Sequence, residues 1–516
     1  MRILNFTVIL SLSGCFSSDS ENLDLTAAAE DRDSFYGEGD ADTDADTDAD
    51  TDADSDMDSE TEKEDATVDT AEPDDTAEPD DCDDVTPVQL FLSPDDSNSM
   101  SSPVQARLAI ESGWSSYSSV PIRTWEFMNY YSFEYPVPDQ EGVALSAALL
   151  PDPDSADGDT WLLQIAVSSP EISRAERRPM NLTFVVDTSG SMGGDPMDRM
   201  VDALNVIAGQ LKSGDIVSMV EWSETQAAIL SDHAVSGADD PVLLSAISGL
   251  ESGGGTDLSG GLQAGYALAA KNYSTDRINR IVLISDGGAN MGTTDATLIG
   301  QHAGTQDADG IYMVGIGVDS SASYNDRLMD EVTDLGKGAS LFIDSLEEAE
   351  RMLGDRFVST MDVWARDVSV VLDLPPGFEI VKFSGEEYSA DPAEIEPQHL
   401  APSDAMVFYQ TIRSCAPEDV TDETELSVSV LYKNGLTFES GSESLTATFG
   451  ALSDGDTAQL YKGAAIYAYA EGLKALRRYE DREVVLAGME AALDRAAAEN
   501  KGDPELAAIR ALVEAL

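Results

Sequence analysis

Positively charged residues are scarce in this chain. Its 516 residues include 29 Lys and Arg against 99 Asp and Glu, which gives a formal net charge of −70. Such a surface repels nucleic acids and anionic lipid headgroups, so we expect neither as a partner. A cationic partner or a high-salt habitat would match the charge, and composition does not choose between them. Long apolar runs are also missing, because no segment approaches the ~20 apolar residues of a membrane-spanning helix.

Histidine occurs only three times, at His233, His302 and His399. None of them has the His-Glu-x-x-His spacing of zinc proteases. The chain also lacks a Gly-x-Ser-x-Gly elbow and a phosphate loop ending in Gly-Lys-Ser/Thr. We therefore predict that the protein is not an enzyme. A Mg²⁺-dependent hydrolase is the less favoured alternative, since no general base accompanies the metal ligands suggested by the sequence.

The chain has only three cysteines. The first of them follows an N-terminal segment that has the features of a signal peptide. A short apolar run, Ile3–Leu12, leads into Leu12-Ser13-Gly14-Cys15. This ending resembles the bacterial lipobox, so residues 1–14 are predicted to be a signal peptide and Cys15 to carry the lipid. Phe16-Ser17 is not the aspartate that retains such proteins on the inner membrane of enterobacteria. We therefore expect anchoring in the cell envelope, at the outer rather than the inner membrane.

Residues 15–85 are predicted to form an extended, disordered tether. The stretch 19–84 contains 30 acidic and 2 basic residues, and Thr-Asp-Ala-Asp repeats run from Asp42 to Asp54. Such a segment has almost nothing apolar to bury, and its like charges repel one another. An EF-hand is not predicted, because the central Gly and the Glu at the twelfth position are missing. Weak binding of Ca²⁺ by this acidic segment is an alternative that the sequence leaves open.

The remaining cysteines, Cys82 and Cys415, are far apart in the sequence. An envelope compartment permits disulfides, so the two residues could pair. Two buried free thiols are the alternative, and the sequence leaves both open.

Three chain segments end in oxygen-bearing side chains. The first follows the apolar run 182–186, the second follows a triple glycine at 253–255, and the third follows the apolar run 281–285. Ligand sites of doubly wound sheets lie just beyond the carboxyl ends of such buried strands. Hydroxyl and carboxylate oxygens suit a hard cation such as Mg²⁺ or Mn²⁺. The candidate ligands are Asp187, Ser189, Ser191, Thr256 and Asp286.

This order of Asp-x-Ser-x-Ser, Thr and Asp-Gly resembles the metal-ion-dependent adhesion site of von Willebrand factor type A (VWA) domains. The resemblance covers about residues 181–360. It implies that Ser189, Ser191 and Thr256 contact the metal directly, whereas Asp187 and Asp286 act largely through water. Neutral direct ligands would leave the cation under-neutralised. The resemblance therefore implies a protein partner that offers an acidic side chain to the metal.

Residues 181–360 alternate between strand and helix patterns, which is typical of a doubly wound, Rossmann-like parallel sheet. Strands are predicted at 182–187, 215–221, 227–230, 280–285, 311–318 and 339–343. Helices are predicted at 197–212, 241–250, 258–271, 295–306, 324–335 and 346–358.

The segments Pro121–Tyr131, Tyr324–Met329 and Asp344–Ala349 resemble those of YfbK-type bacterial VWA proteins. The resemblance implies an α/β domain inserted between flanking regions, here 86–180 and 361–452. Both flanks are rich in strand patterns, so we predict one antiparallel sandwich built from the two of them. Residues 453–516 are predicted to be helical. An aromatic group in the first flank is expected to pack as the apolar face of a helix, and it comprises Trp125, Phe127, Tyr130 and Tyr131.

The favoured hypothesis is an anchored lipoprotein that binds a protein partner through a Mg²⁺-dependent adhesion site. A structural envelope lipoprotein with a vestigial metal loop is the competing class. Binding of Mg²⁺ separates the two, because only the first should bind the metal and lose it on Asp187→Ala.

Replacing Cys15 by Ser should release the protein from membranes. Each buried CH₂ of an acyl chain contributes about 0.8 kcal/mol to anchoring, and the variant would have no chain attached. We expect wild type in the detergent-extracted membrane fraction and Cys15→Ser in the soluble envelope fraction, as measured by fractionation and immunoblotting. Equal partitioning of the two proteins would contradict the lipobox interpretation.

Overall fold

The computed structural model describes residues 87–94, 98–113, 120–138, 142–288, 293–303, 310–319 and 324–516. The predicted signal peptide, the acidic tether, Cys15 and Cys82 lie outside these residues. Within the described ranges, no helix combines the length and apolar character needed to cross a bilayer.

The strands of the described residues alternate with helices in the middle of the chain and cluster on either side of it. They are β1 Val88–Ser93, β2 Ala144–Pro151, β3 Thr160–Ser168, β4 Met180–Asp187, β5 Ile216–Trp222, β6 Gln226–Ala234, β7 Ile278–Ser285, β8 Tyr312–Gly317, β9 Ser340–Phe342, β10 Ala365–Leu374, β11 Phe378–Phe383, β12 Glu387–Ser389, β13 Gln398–Leu400, β14 Ala405–Ser414, β15 Glu425–Asn434 and β16 Ser440–Thr448.

The helices are α1 Ser101–Glu111, α2 Thr124–Tyr130, α3 Asp195–Gln210, α4 Pro241–Ile247, α5 Leu258–Lys271, α6 Thr293–His302, α7 Asp326–Leu335, α8 Leu346–Ala349, α9 Phe357–Met361, α10 Phe449–Ser453, α11 Ala458–Arg477, α12 Arg482–Glu499 and α13 Pro504–Ala515. The sequence predicted one helix over 346–358, and this is wrong in detail. A π-helical segment, Glu350–Asp355, separates α8 from α9.

The central sheet has the strand order β6-β5-β4-β7-β8-β9. Its pairs are parallel except for β5 with β6, which are antiparallel. Every residue of β4 and β7 is buried, as expected for strands covered on both faces. The predicted doubly wound sheet is confirmed, and β4 lies near its middle.

Two further sheets combine strands from both sides of the α/β region. One has the order β12-β1-β10-β15-β16, with β13 also paired to β10, and the other has the order β11-β14-β3-β2. The long-range pairing is extensive, since Leu90 faces Leu372 and Ile165 faces Phe408. Their inward side chains form one apolar core. The predicted sandwich built from both flanks is confirmed.

The C-terminal helix α11 packs closely on two opposite sides. A Cβ on Gly463 would lie 1.8 Å from Oε1 of Gln164 on β3, and one on Gly472 would lie 2.0 Å from Cε of Met489 on α12. These glycines are nine residues apart and therefore lie on opposite faces of the helix. Ala465 and Leu473 of α11 are buried. Four further residues of this helix are half-buried and pack against the same core, namely Ala464, Tyr467, Ala468 and Leu476.

Helix α2 joins the first flank to this helical layer. Phe127 is fully buried and meets Tyr469 of α11 edge to face, with ring centroids 5.6 Å apart. Tyr130 and Tyr131 are buried as well, which confirms their predicted packing, whereas Trp125 is half-buried. The apolar core of the central sheet is continuous with helices α1 and α2 of the first flank and with the C-terminal helices α11, α12 and α13.

Cys415 directly follows β14 and is disulfide-bonded. Its backbone N–H donates to the carbonyl of Gly377 at 3.0 Å. Because both other cysteines lie outside the described residues, the pairing of Cys82 with Cys415 stays a prediction.

Residues 361–452 expressed alone should not fold cooperatively. They supply β10 and β14 but lack β1 and β3, the strands that pair with them. Exposed strand edges of this kind favour aggregation. We expect a cooperative thermal transition by circular dichroism only when residues 86–180 are joined to the fragment by a short linker. Equally cooperative unfolding of the isolated fragment would contradict the shared sandwich.

Candidate metal centre

Asp187 ends the central strand β4 and is completely buried. Its Oδ1 accepts the backbone N–H of Ser189 at 2.8 Å, and its Oδ2 accepts the hydroxyl of Ser285 at 2.7 Å. Burial raises the pKa of the Asp187 carboxyl, the hydrogen bonds from the two serines oppose the rise, and the charge of Asp286 adds to it. A nearby cation would stabilise the charged form of this group.

Ser189 and Ser191 lie in the tight turn that leads from β4 to α3. Residues Gly190–Met192 form a single 3₁₀ turn, which brings the hydroxyl oxygens of the two serines to 3.1 Å from each other. Neighbouring oxygens around Mg²⁺, each ~2.1 Å from the ion, are about 3 Å apart in an octahedron. The spacing of the two hydroxyls therefore fits adjacent positions around such a cation.

Main-chain hydrogen bonds hold the Thr256 loop against this turn. The N–H of Gly253 donates to the carbonyl of Thr188 at 2.8 Å, and the N–H of Gly190 donates to Gly254 at 3.2 Å. Gly254 has a φ of +85°, which favours glycine. Thr256 is exposed at the end of this loop, and the loop packing brings it to the same edge of the sheet as the serine turn.

Asp286 follows β7 and is buried. Its Oδ1 accepts the backbone N–H of Gly288 at 2.8 Å. A Cβ placed on Gly288 would lie 2.9 Å from this Oδ1 and 3.3 Å from the hydroxyl of Ser191. The carboxylate of Asp286 and the hydroxyl of Ser191 therefore border the same small space.

All five predicted ligand positions thus belong to loops that meet at the carboxyl ends of β4 and β7. The set contains two carboxylates and three hydroxyl groups. These oxygen donors suit a small hard cation. No group of three or more His, Cys, Asp and Glu side chains in the described part of the chain could hold a metal ion.

Sequence reasoning missed three supporting groups. Ser285 donates to Asp187 and accepts the N–H of Gly287 at 3.0 Å. The carbonyl of Trp222 accepts both the N–H and the hydroxyl of Thr188, at 2.9 and 3.1 Å. The side chain of Glu224 covers the glycine loop. Of these, only Ser285 had a signal in the sequence, since it is a hydroxyl residue that ends a buried strand next to Asp286.

The side chain of Glu224 lies against Gly254 and Gly255 of the Thr256 loop. A Cβ on Gly255 would lie 2.9 Å from its Cγ, and one on Gly254 would lie 3.5 Å from the same atom. Glu224 is exposed, so it places a negative charge beside the segment that carries Thr256.

Each of the three histidines contacts another side chain. His233 pairs with Asp240 at 2.8 Å, and His302 packs on the ring of Tyr266 at 4.6 Å. His399 packs on Tyr312, and burial, followed by the charge of Arg366, lowers its pKa to about 3. The contacts described for the three histidines are with residues other than Ser191, whose hydroxyl lies 3.1 Å from that of Ser189.

Comparison with known proteins identifies the central region. Residues 182–289 match the family model "von Willebrand factor type A domain". The chain is 27% identical over 266 residues to the uncharacterized protein YfbK of Escherichia coli, which covers 50% of this chain and 45% of YfbK. It is 27% identical over 217 residues to the uncharacterized protein sll0103 of Synechocystis, covering 42% and 49%. The chain thus spans about half the length of these curated relatives.

Among solved structures, a von Willebrand factor type A protein from Catenulispora acidiphila is similar, with a TM-score of 0.42 and 16% sequence identity. The similarity covers 72% of this chain and 90% of that one.

Replacing Ser285 by Ala should weaken Mg²⁺ binding without removing a candidate ligand. The change takes away the hydroxyl that orients Asp187, and loss of such an outer partner typically lowers metal affinity 10- to 100-fold. We expect at least about a tenfold loss by isothermal titration calorimetry. Ser218→Ala on strand β5 is the matched control, because the Ser218 hydroxyl is also buried but accepts the N–H of Asp232 rather than orienting a candidate ligand. Equal affinities for the two variants would contradict a role for Ser285.

Proposed function

Since this chain is a bacterial von Willebrand factor type A protein of the YfbK type, we propose that it is an envelope-anchored lipoprotein that binds a protein partner through a Mg²⁺-dependent adhesion site. One observation carries the proposal. The hydroxyls of Ser189 and Ser191 are 3.1 Å apart, next to a buried carboxylate, Asp187, which is held in place by two hydrogen bonds.

The cation, Mg²⁺ or Mn²⁺, would be held directly by Ser189, Ser191 and Thr256. Asp187 and Asp286 would act through water and orient the hydroxyl ligands. When bound, the metal supplies a positive charge and a coordination position that the protein leaves open. Because the three direct ligands contribute dipoles rather than charge, most of the double positive charge of the ion remains available to a partner.

The partner is expected to offer an Asp or Glu oxygen to that open position. The strongly acidic surface opposes such a partner at long range. Charges separated by more than about 8 Å are largely screened at ~0.15 M salt, so the local cation dominates at contact. The exposed carboxylate of Glu224 lies beside the Thr256 loop and would disfavour a partner that brings a second acidic group to that side.

Membrane attachment is proposed to occur through the lipid on Cys15. The acidic stretch that follows would hold the folded part away from the bilayer, because its like charges favour extended conformations. The outer membrane is the proposed location, on the basis of Phe16-Ser17 after the cysteine.

Thr256→Ala should weaken metal binding and partner binding together. The change removes one direct oxygen from the metal and leaves the folded sheet untouched, since Thr256 is exposed. We expect reduced Mg²⁺ affinity by calorimetry and loss of the partner in a pull-down from the cell envelope, matching the effect of EDTA on wild type. Ser252→Ala, on the same loop but outside the ligand set, should behave like wild type. Partner binding that survives both EDTA and Thr256→Ala would contradict metal-dependent binding through this loop.

A further inference from the structure

The loop that carries Asp286 is supported by the start of helix α7. Gly287 has a φ of +79°, and a Cβ on it would lie 2.7 Å from the backbone N of Asn325 and 3.0 Å from the Cβ of that residue. Asn325 is the residue that caps α7, through a long 3.4 Å contact with the N–H of Leu328. The Asp286 loop therefore has no room to approach α7 further. A displacement of Asn325 would change the position of this loop.

The first turn of α7 is held by helices of the N-terminal flank. Oδ1 of Asp326 accepts the hydroxyl of Ser101 at 2.9 Å and the side-chain amide of Gln105 at 2.6 Å, both from α1. Its Oδ2 pairs with the guanidinium of Arg123, the residue before α2. Ser101 and Gln105 are buried, so these hydrogen bonds form away from water.

Arg123 pairs with three carboxylates. It contacts Asp326, Glu126 at 2.6 Å and Asp330 at 3.1 Å. Glu126 is fully buried, and its Oε2 accepts the N–H of Ser102 at 2.6 Å. Burial raises the pKa of Glu126, and the charge of Arg123 opposes this rise.

Without Arg123, the carboxylates of Glu126 and Asp326 would lose the guanidinium that pairs with both of them. Breaking a buried ion pair on one side leaves uncompensated charge, which is strongly unfavourable. Glu126 is fixed by its own helix and by Ser102. Motion of the first turn of α7 away from α2 would therefore relieve the repulsion, and Asn325 would move with it.

We infer that Arg123 is a positioning residue for the metal site, because it holds Asn325 against Gly287 and so fixes the carboxylate of Asp286 beside Ser191. The inference rests on the proposed metal-binding function. Through Arg123 the N-terminal flank helps to set the metal affinity, although no residue of this flank belongs to the ligand set.

Arg107 provides a matched control. It also links α1 to the α/β domain through two carboxylates, Asp344 at 2.8 Å and Glu348 at 2.9 Å. Its side chain is 24% exposed, compared with 19% for Arg123. Asp344 follows β9, however, and β9 is separated from β7 by β8 in the sheet.

The test compares Mn²⁺ affinity, measured by calorimetry, for wild type, Arg123→Gln and Arg107→Gln in the full-length protein. We expect a loss of about tenfold or more for Arg123→Gln, as for other outer-shell changes, and less than a twofold change for Arg107→Gln. Thermal unfolding of each variant is recorded in parallel, and both arginine variants should unfold at lower temperature than wild type.

Asp326→Asn is the milder second variant, and it decides the matter if Arg123→Gln does not fold. It keeps the shape of the side chain but removes the charge that pairs with Arg123, so it should also lower Mn²⁺ affinity. Equal affinities of wild type and Asp326→Asn, or equal losses for Arg123→Gln and Arg107→Gln, would overturn the positioning role alone. Failure of wild type to bind Mn²⁺ would overturn the proposed function and this inference with it.

Discussion

The structure depends on the close approach of three loops at the carboxyl ends of β4 and β7. A completely buried carboxylate, Asp187, lies between them and is satisfied by hydrogen bonds from Ser189 and Ser285. Such a group is costly to bury unless its oxygens are paired. The loops therefore have to keep their relative positions. Those positions bring the hydroxyls of Ser189 and Ser191 to the edge of the sheet.

Glycine makes this approach possible. A side chain on Gly255 would meet Glu224, one on Gly287 would meet Asn325, and one on Gly288 would meet Asp286. The glycine backbones therefore lie close to the side chains of Glu224 and Asp286 and, at Gly287, to the backbone of Asn325. This packing links the candidate metal centre to its surroundings, and through Asn325 it extends to the helices of the N-terminal flank.

The flanks form a frame around the α/β region. Their strands build the sandwich core, whereas α1 and α2 of the first flank and the C-terminal helices α11, α12 and α13 share the apolar core of the central sheet. Two arginines, Arg123 and Arg107, fasten this frame to the domain through buried or half-buried carboxylates. In a chain with a net charge of −70, each paired arginine offsets repulsion between acidic groups that folding brings together.

The sequence by itself determined the alternating α/β pattern, the sandwich strands and the five candidate ligands, because these depend on local periodicity and on residues next to strand ends. It did not determine the π-helical break at Glu350–Asp355 or the buried faces of α11, since both depend on what packs against those helices. Ser285, Glu224 and Arg123 gained their positions only in the tertiary structure. Their contacts join residues far apart in the chain, and no local pattern records which distant groups meet.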